Sequence, residues 1–193
     1  MGLTSDSVLS IFRETGALLE GHFLLTSGLH SNTYFQCAKV FQYPWHAEKL
    51  CQEIADHFRN EKISTVVSPA VGGIIVGQEI ARLLKIRSIF TERVDGRMTL
   101  RRGFEIASDE RVLIAEDVTT TGGSVKEVIE VAEQYGAHIV AVTAVVDRSG
   151  GKADFQVPYY SLLQMDVQNY RPEQCPMCQS GSKPVKPGSR NLK

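Results

Sequence analysis

Four short apolar runs set the limits on what this chain can fold into: "STVVS" (64–68), "IRSIF" (86–90), "RVLIA" (111–115) and "HIVAVTAVVD" (138–147). Runs of this kind, bounded by turn residues, read as strands covered on both faces. Between and before them the period changes. In "AEKLCQEIADHFRN" (47–60), Ala47, Leu50, Cys51, Ile54, Ala55 and Phe58 recur at helical spacing and predict an amphipathic helix. "IIVGQEIARLLK" (74–85) is helix-like too, and after Gly123 the residues Val125, Val128, Ile129, Ala132 and Tyr135 form one face, with Gly136 placed to end it. Ser124 and Glu127 match a capping box that would start this helix just past the glycines. Strand, helix, strand, strand, helix, strand is the rhythm of an α/β domain whose central, mostly parallel sheet is flanked by helices.

Right-handed crossovers carry the loops at 68–73, 116–123 and 147–152 to the carboxyl edge of that sheet, which is where such sheets bind ligands. The middle loop, "EDVTTTGG" (116–123), holds more chemistry than a turn requires. The first N–H groups of a helix have no internal partner and carry partial positive charge. Gly122 and Gly123 let the backbone approach a ligand, and Thr119, Thr120, Thr121 and Ser124 add hydroxyl donors, which together make a cradle for a phosphate monoester. Glu116 and Asp117 would repel phosphate, so they suit ribose hydroxyls or a divalent cation instead. The loop is neither a Walker A loop nor a dinucleotide fingerprint, because the Gly-Lys-Ser/Thr ending and the glycine spacing are both absent. The bland alternative is a plain Gly-Gly connection.

The rest of the chain divides simply. Residues 1–170 read as one domain, of which 1–40 form a separate N-terminal hood, and 171–193 form a basic Pro/Gly/Ser-rich tail expected to be extended. "FLLTSGLHSNTYFQ" (23–36) has turn chemistry at Ser27-Gly28 between β-prone arms. "TERVDGRMTLRRGF" (91–104) carries the hairpin signal Asp95-Gly96 and four arginines, at 93, 97, 101 and 102. These arginines form either a solvated face, with Glu92 neutralising one of them, or a lid. A formal net charge of -1 gives no general field for nucleic acid. No apolar run nears the ~18–20 residues that cross a bilayer, and the N-terminus lacks a signal-peptide pattern, so a cytoplasmic protein is expected. Cys37 and Cys51 read as small buried hydrophobes. "CPMC" (175–178) has the spacing of half a zinc knuckle, but no second CxxC or HxxxH completes four ligands, so the pair reads as unmetallated unless two tails meet across a dimer. His22, His30, His46, His57 and His138 show no metal-ligand spacing, and most of them read as surface or capping residues, with His30 set within the 23–36 segment.

"VLIAEDVTTTGGS" (112–124) resembles the motif by which type I phosphoribosyltransferases bind 5-phosphoribosyl 1-diphosphate (PRPP). The resemblance implies that family's fold, with an N-terminal hood and a flexible lid hairpin. It implies that Glu116 and Asp117 hold the ribose 2′ and 3′ hydroxyls while Val118, Thr119, Thr120, Thr121, Gly122, Gly123 and Ser124 hold the 5′-phosphate. "SPAVGGIIVG" (68–77) is similar to the family's diphosphate loop, giving Ala70, Val71, Gly72 and Gly73 that role.

Within the family the orotate branch fits best. "GHFLLTSGLHSNTYFQ" (21–36) resembles its N-terminal signature and assigns Thr26, Tyr34 and Phe35 to orotate, with Thr120. "VVDRSGG" resembles the strand end whose arginine, here Arg148, meets the orotate carboxylate with a planar fork. Two positions depart from the pattern. Thr26 stands where the signature usually has Lys. The loop usually rich in Lys and His is here an arginine loop, similar to a divergent branch, in which Arg93 keeps a cation near the expected place and Arg97, Arg101 and Arg102 are substitutes in kind. The implied reaction moves the phosphoribosyl group of PRPP to orotate, giving orotidine 5′-monophosphate and diphosphate. Arg93, Arg97 and Asp117 would be catalytic, Mg²⁺ would arrive with PRPP without a direct protein ligand, and a homodimer would lend lid residues to the neighbouring site. The rivals are the same fold acting on a purine or another base, and a non-catalytic PRPP-sensing regulator. Near-neutral charge and the lack of an added module weigh against the regulator.

Overall fold

The computed structural model describes residues 2–25 and 27–187. The chain runs α1 (Ser5–Glu14), β1 (Leu18–Leu24), β2 (His30–Phe35), α2 (Ala38–Phe41), α3 (Pro44–Phe58), β3 (Thr65–Pro69), α4 (Gly72–Leu84), β4 (Arg87–Val94), β5 (Arg97–Leu100), β6 (Arg111–Thr119), α5 (Gly123–Gln134), β7 (His138–Asp147), β8 (Tyr159–Gln164) and β9 (Asn169–Tyr170). A 3₁₀ turn (Pro172–Gln174) and the short helix α6 (Pro176–Gln179) follow.

Six strands form the central sheet in the order β5-β4-β3-β6-β7-β8. All neighbours are parallel except β4 and β5. Side chains alternate between the faces of a strand, and the core divides accordingly. Val66 and Leu113 join Leu50, Ile54, Val76 and Ile80 of α3 and α4. Val67 and Ile114, one residue on, join Val125, Val128 and Ala132 of α5. Both faces are thus covered by helices, which is why the strand sequences show no polar alternation. Each fully buried Leu, Ile or Val on these faces stabilises the fold by about 1.5–3 kcal/mol relative to exposure. The predicted face of α3 is the buried one, residue for residue.

Several local expectations are corrected. β6 runs four residues past the apolar stretch, to Thr119, so Glu116 and Asp117 lie on the strand itself. α5 begins at Gly123, capped by Gly122 in the left-handed conformation (φ 77) with no side-chain hydrogen bond, so the Ser124–Glu127 capping box does not form. Tyr135 is 47% exposed and Val131 takes its place on the buried face. α1 was hidden in the N-terminal element; Thr4 caps it by accepting from the Ser7 N–H at 3.2 Å, and Val8, Ile11 and Phe12 are buried.

The tail is not extended. β9 adds to the hood sheet in the order β1-β2-β9. Beyond α6 the chain returns along the other edge, where Val185 exchanges hydrogen bonds with β1: its N–H donates to His22 O at 2.8 Å and its carbonyl accepts from the Leu24 N–H at 2.9 Å. Pairing on both edges of a two-stranded hairpin gives the tail the backbone partners that its composition did not advertise. Among the described residues, no helix is long and apolar enough to cross a membrane.

Candidate active site

β3, β6 and β7 are parallel neighbours, so Pro69, Thr119 and Asp147 end at one edge of the sheet. Thr119 pairs with Asp147 in register, and the Arg148 N–H donates to Thr119 O at 2.8 Å. α4 and α5 start at this same edge, and neither has a side-chain N-cap hydrogen bond. Two sets of unpaired helix N–H groups therefore face one region, which suits two phosphate groups. The residues of the 116–123 loop pointed to the α5 cradle directly, whereas the α4 cradle at 70–73 was expected only from the likeness to a diphosphate loop.

Glycines bring the loop after β3 against the carboxylates. A Cβ on Gly72 would lie 2.5 Å from Asp117 Oδ2, and one on Gly73 would lie 3.0 Å from Ala115 O and 3.2 Å from Glu116 Oε1. Ala70 is tied down by its N–H, which donates to Thr91 O at 2.8 Å, whereas Val71, joined to it by a cis peptide bond, is 81% exposed. Gly122 is required twice over, by its positive φ and by the Phe155 ring, whose Cε1 would stand 2.6 Å from any Cβ.

Glu116 is buried and Asp117 beside it is half-buried. The Asp117 N–H donates to Glu116 Oε1 at 3.0 Å and the Val118 N–H to Asp117 Oδ1 at 2.9 Å. Neither carboxylate has an ion-pair partner among the described residues. Burial, and then the charge of Asp117, push the Glu116 carboxyl well above the usual carboxylate range. Burial raises Asp117 too, against hydrogen bonds that lower it. The Cys37 thiol, 2% exposed at the start of α2, is raised by burial and then by Asp117 and Glu116, with Arg148 opposing. The hood thus brings its own residues within electrostatic reach of all three charges. Hydroxyl donors or a cation would relieve a carboxylate pair held in this way.

Arg148 is the complementary case. It is 8% exposed, its guanidinium donates to Thr33 O at 3.3 Å, and it lies 5.7 Å above the Phe35 ring. It forms no ion pair among the described residues, and its Nε has no partner. Burial draws its pKa down. Phe35 packs edge-on against Phe12 in the core, while Tyr34 is half-buried against Phe23. Thr26 lies outside the described residues, as do residues 188–193 of the tail.

The arginine segment is the β4–β5 hairpin, turning on Asp95 (φ 48) and Gly96 (φ 81). Arg93 donates to Gly96 O at 2.6 Å and forms an ion pair with Glu127 of α5 at 2.8 Å. Arg102 makes two 2.8 Å bonds to Glu92 and lies over Phe90. Arg97 and Arg101 are exposed, form no ion pair among the described residues, and line an open hollow of ≈ 560 Å³ with Asp95. That hollow belongs to the hairpin, apart from the polar loops at the strand ends, where the charged groups converge. His22 and His30 are not surface residues: they are 7% and 5% exposed.

Residues 43–177 match the phosphoribosyl transferase domain family. The chain is 57% identical over 188 residues to the orotate phosphoribosyltransferase of Chlorobium phaeobacteroides, covering 97% of both chains. It is 51% identical to that of Thermotoga maritima, covering 96% of this chain and all of the other. Its fold is similar to the crystal structure of orotate phosphoribosyltransferase from Aeropyrum pernix, at TM-score 0.70 and 24% identity over 82% of this chain and 93% of that one. An adenine phosphoribosyltransferase from Rhodothermus marinus matches almost as well, at TM-score 0.67 and 18% identity over 83% and 99%. Fold similarity therefore does not separate one base from another, whereas the full-length identity is to orotate enzymes.

Proposed function

We infer how this site works from what the chain is: it belongs to the orotate phosphoribosyltransferases, within the phosphoribosyl transferase family. It transfers the phosphoribosyl group of PRPP to orotate, forming orotidine 5′-monophosphate and diphosphate, a step in pyrimidine biosynthesis. A ring nitrogen of orotate bonds to ribose C1 as the C1–O bond to diphosphate breaks; the electron pair of that bond leaves with the diphosphate, and the proton the nitrogen carried passes to the diphosphate or to solvent. The transition state carries positive charge on the sugar and growing negative charge on the leaving group, so positioning and electrostatics supply most of the catalysis.

In our reading the ribose lies over Glu116 and Asp117, which accept from its 2′ and 3′ hydroxyls and place negative charge beneath the developing cation. The α5 N-terminus, with Thr119, Thr120, Thr121 and Ser124, holds the 5′-phosphate. The N–H groups of Ala70–Gly73 at the α4 N-terminus receive the diphosphate. Mg²⁺ bound with PRPP would supply further neutralisation of the leaving group, and the raised carboxyls of Glu116 and Asp117, which have no ion-pair partner among the described residues, would suit it as neighbours. The orotate carboxylate pairs with Arg148, while Thr26, Tyr34, Phe35 and Thr120 complete the base pocket.

The β4–β5 hairpin acts as the lid. Arg93 and Arg97 close on the diphosphate and exclude water that would hydrolyse PRPP. The chain works as a cytoplasmic homodimer in which each lid serves the neighbouring site.

The observation that carries the choice of acceptor is Arg148, a buried guanidinium with an orphan Nε and no carboxylate partner among the described residues. An unpaired buried cation is costly, and a planar carboxylate ligand repairs it through two parallel hydrogen bonds. Steady-state assays with orotate, uracil, adenine and hypoxanthine in the presence of PRPP and Mg²⁺ test this reading. It requires orotate alone to be consumed efficiently, with release of diphosphate.

A further inference from the structure

Four side chains from distant parts of the sequence converge beneath the hood. His22 and His30 are diagonal neighbours on one face of the β1–β2 hairpin, where the register pairs Leu24 with His30 and a bulge falls between Glu20 and Phe23. Cys175 and Cys178 come from the start of α6 and from within it. Their four ligand atoms lie within 4.8 Å of one another, and His22, His30 and Cys175 are all buried.

Hydrogen bonding does not account for this arrangement. His22 Nε2 stands 2.9 Å from His30 Nδ1, 3.5 Å from Cys175 Sγ and 3.8 Å from Cys178 Sγ. A ring nitrogen carries either one hydrogen or one lone pair, so it serves one such partner and not three. A common centre does account for it. Bond lengths of ≈ 2.3 Å to sulfur and ≈ 2.0–2.1 Å to nitrogen at a tetrahedral ion imply edges of about 3.3 Å between nitrogens and about 3.6 Å between nitrogen and sulfur. Three of the four nitrogen–sulfur separations, 3.3 Å from Cys178 Sγ to His30 Nδ1 and 3.5 and 3.8 Å from Cys175 and Cys178 to His22 Nε2, scatter about that value, and all four ligand atoms lie within 4.8 Å of one another. The nitrogens need to part by only a few tenths of an ångström.

We propose that His22, His30, Cys175 and Cys178 form a structural Zn²⁺ site that fastens the C-terminal tail to the hood. Two thiolates and two neutral imidazoles give a charge-balanced site for a dication in a buried place, and this ligand set with closed tetrahedral geometry favours zinc. His22 Nδ1 lies 3.1 Å from Ser182 Oγ; with Nε2 on the metal, Nδ1 carries the hydrogen and donates to that hydroxyl, fixing the ring as outer partners of metal-bound histidines do. The site also explains how a 3₁₀ turn of three residues and a helix of four hold their place, since neither is stable alone. The two histidines stand on the two strands of the β1–β2 hairpin, so the metal ties both strands to the tail. The CPMC spacing signalled half of this site, and the other half was a register: His22 and His30 stand at i and i+8, and only the hairpin makes them neighbours.

The test uses the full-length chain, purified under reducing conditions from zinc-supplemented cells. Elemental analysis should find close to one zinc per chain. Replacement by Co²⁺ should give the intense visible bands of a tetrahedral ion together with a near-ultraviolet thiolate-to-cobalt charge-transfer band. Cys178→Ser should weaken that charge-transfer band, and the Cys175→Ser/Cys178→Ser double variant should abolish it. Chelation of the wild-type chain should lower its Tm and open the 171–187 segment to hydrogen exchange. A reduced wild-type chain that holds neither zinc nor cobalt overturns the proposal without recourse to any variant. So does a cobalt spectrum without thiolate character, or one that survives loss of both cysteines.

Discussion

Arg93 of the β4–β5 hairpin grips Glu127 on α5, with Nη1 2.8 Å from Oε2 and Nη2 2.9 Å from Oε1. This is the glutamate that a capping-box reading would have folded back on Ser124. It points to the hairpin instead, leaving the α5 N-terminus open for a phosphate. The pair is half-exposed, and such pairs contribute about 0–1 kcal/mol. An incoming diphosphate can therefore draw Arg93 away at little cost. Arg97, which has no ion pair among the described residues, needs no release.

The lid assignment predicts that Arg93→Ala and Arg97→Ala each lower turnover by on the order of 10²-fold, the usual effect of removing one well-placed transition-state contact. Glu127→Gln should leave turnover within a few-fold, because Glu127 only parks the arginine. Steady-state rates at saturating PRPP and orotate check this. Unchanged turnover in both arginine variants would sink the lid.

Arg148→Ala should reduce kcat/KM for orotate by about 30-fold to several thousand-fold, since breaking a buried charged contact costs about 2–5 kcal/mol. Arg148→Lys should recover little, because an ammonium cannot offer the planar fork. KM for PRPP should change far less. An orotate KM unaffected by either substitution contradicts the assignment of Arg148.

Burial raises the Glu116 carboxyl in the folded chain. A carboxyl that holds its proton more tightly when folded leaves stability intact below its unfolded pKa of about 4.3 and costs stability as pH rises through the folded value. Glu116→Gln should therefore raise the Tm of the ligand-free protein at pH 8, by roughly 2–4 °C per kcal/mol in a chain of this size. The gain should shrink to nothing as pH falls toward about 4. The same variant should bind PRPP more weakly, the exchange of function for stability expected at an active site. Thermal melts across pH decide the matter; a gain that grows toward acid would reverse the sign and refute the account.

Gly122→Ala forces a Cβ into the Phe155 ring at a positive φ. About 1–3 kcal/mol of destabilisation is expected from backbone strain alone, together with loss of PRPP affinity. At Gly123 an added Cβ meets nothing nearer than Thr121 Oγ1 at 3.7 Å. Gly123→Ala should therefore leave Tm unchanged or slightly raised, as alanine favours the helix. Paired melting curves distinguish these two glycines, and equal effects would remove the special role given to Gly122.

Much of this was legible in the residues because periodicity reports burial. The face of α3, the strands at 64–68 and 138–147, and the Asp95-Gly96 turn follow directly from spacing and turn chemistry. Pairing partners far apart in sequence were not legible. β8 is polar enough at its ends to pass for a loop, yet β7 holds it in register from Val142–Tyr159 to Asp147–Gln164. Tyr135 fits the helical period but falls just past the end of α5 at its C-cap, where the buried stripe has drifted to Val131. At the site, the α5 cradle was written in glycines and hydroxyls, whereas the α4 cradle consists of backbone alone. The hood histidines acquire a role only through a hairpin register and a tail that folds back over them.

The most direct test of the central claim is a competition among bases at one active site. Purified protein is given PRPP, Mg²⁺ and an equimolar mixture of orotate, uracil, adenine and hypoxanthine, and nucleotide and diphosphate are quantified together. The account predicts orotidine 5′-monophosphate as the sole nucleotide, formed one-to-one with diphosphate. A purine nucleotide as the main product, or PRPP bound without any transfer, would contradict it.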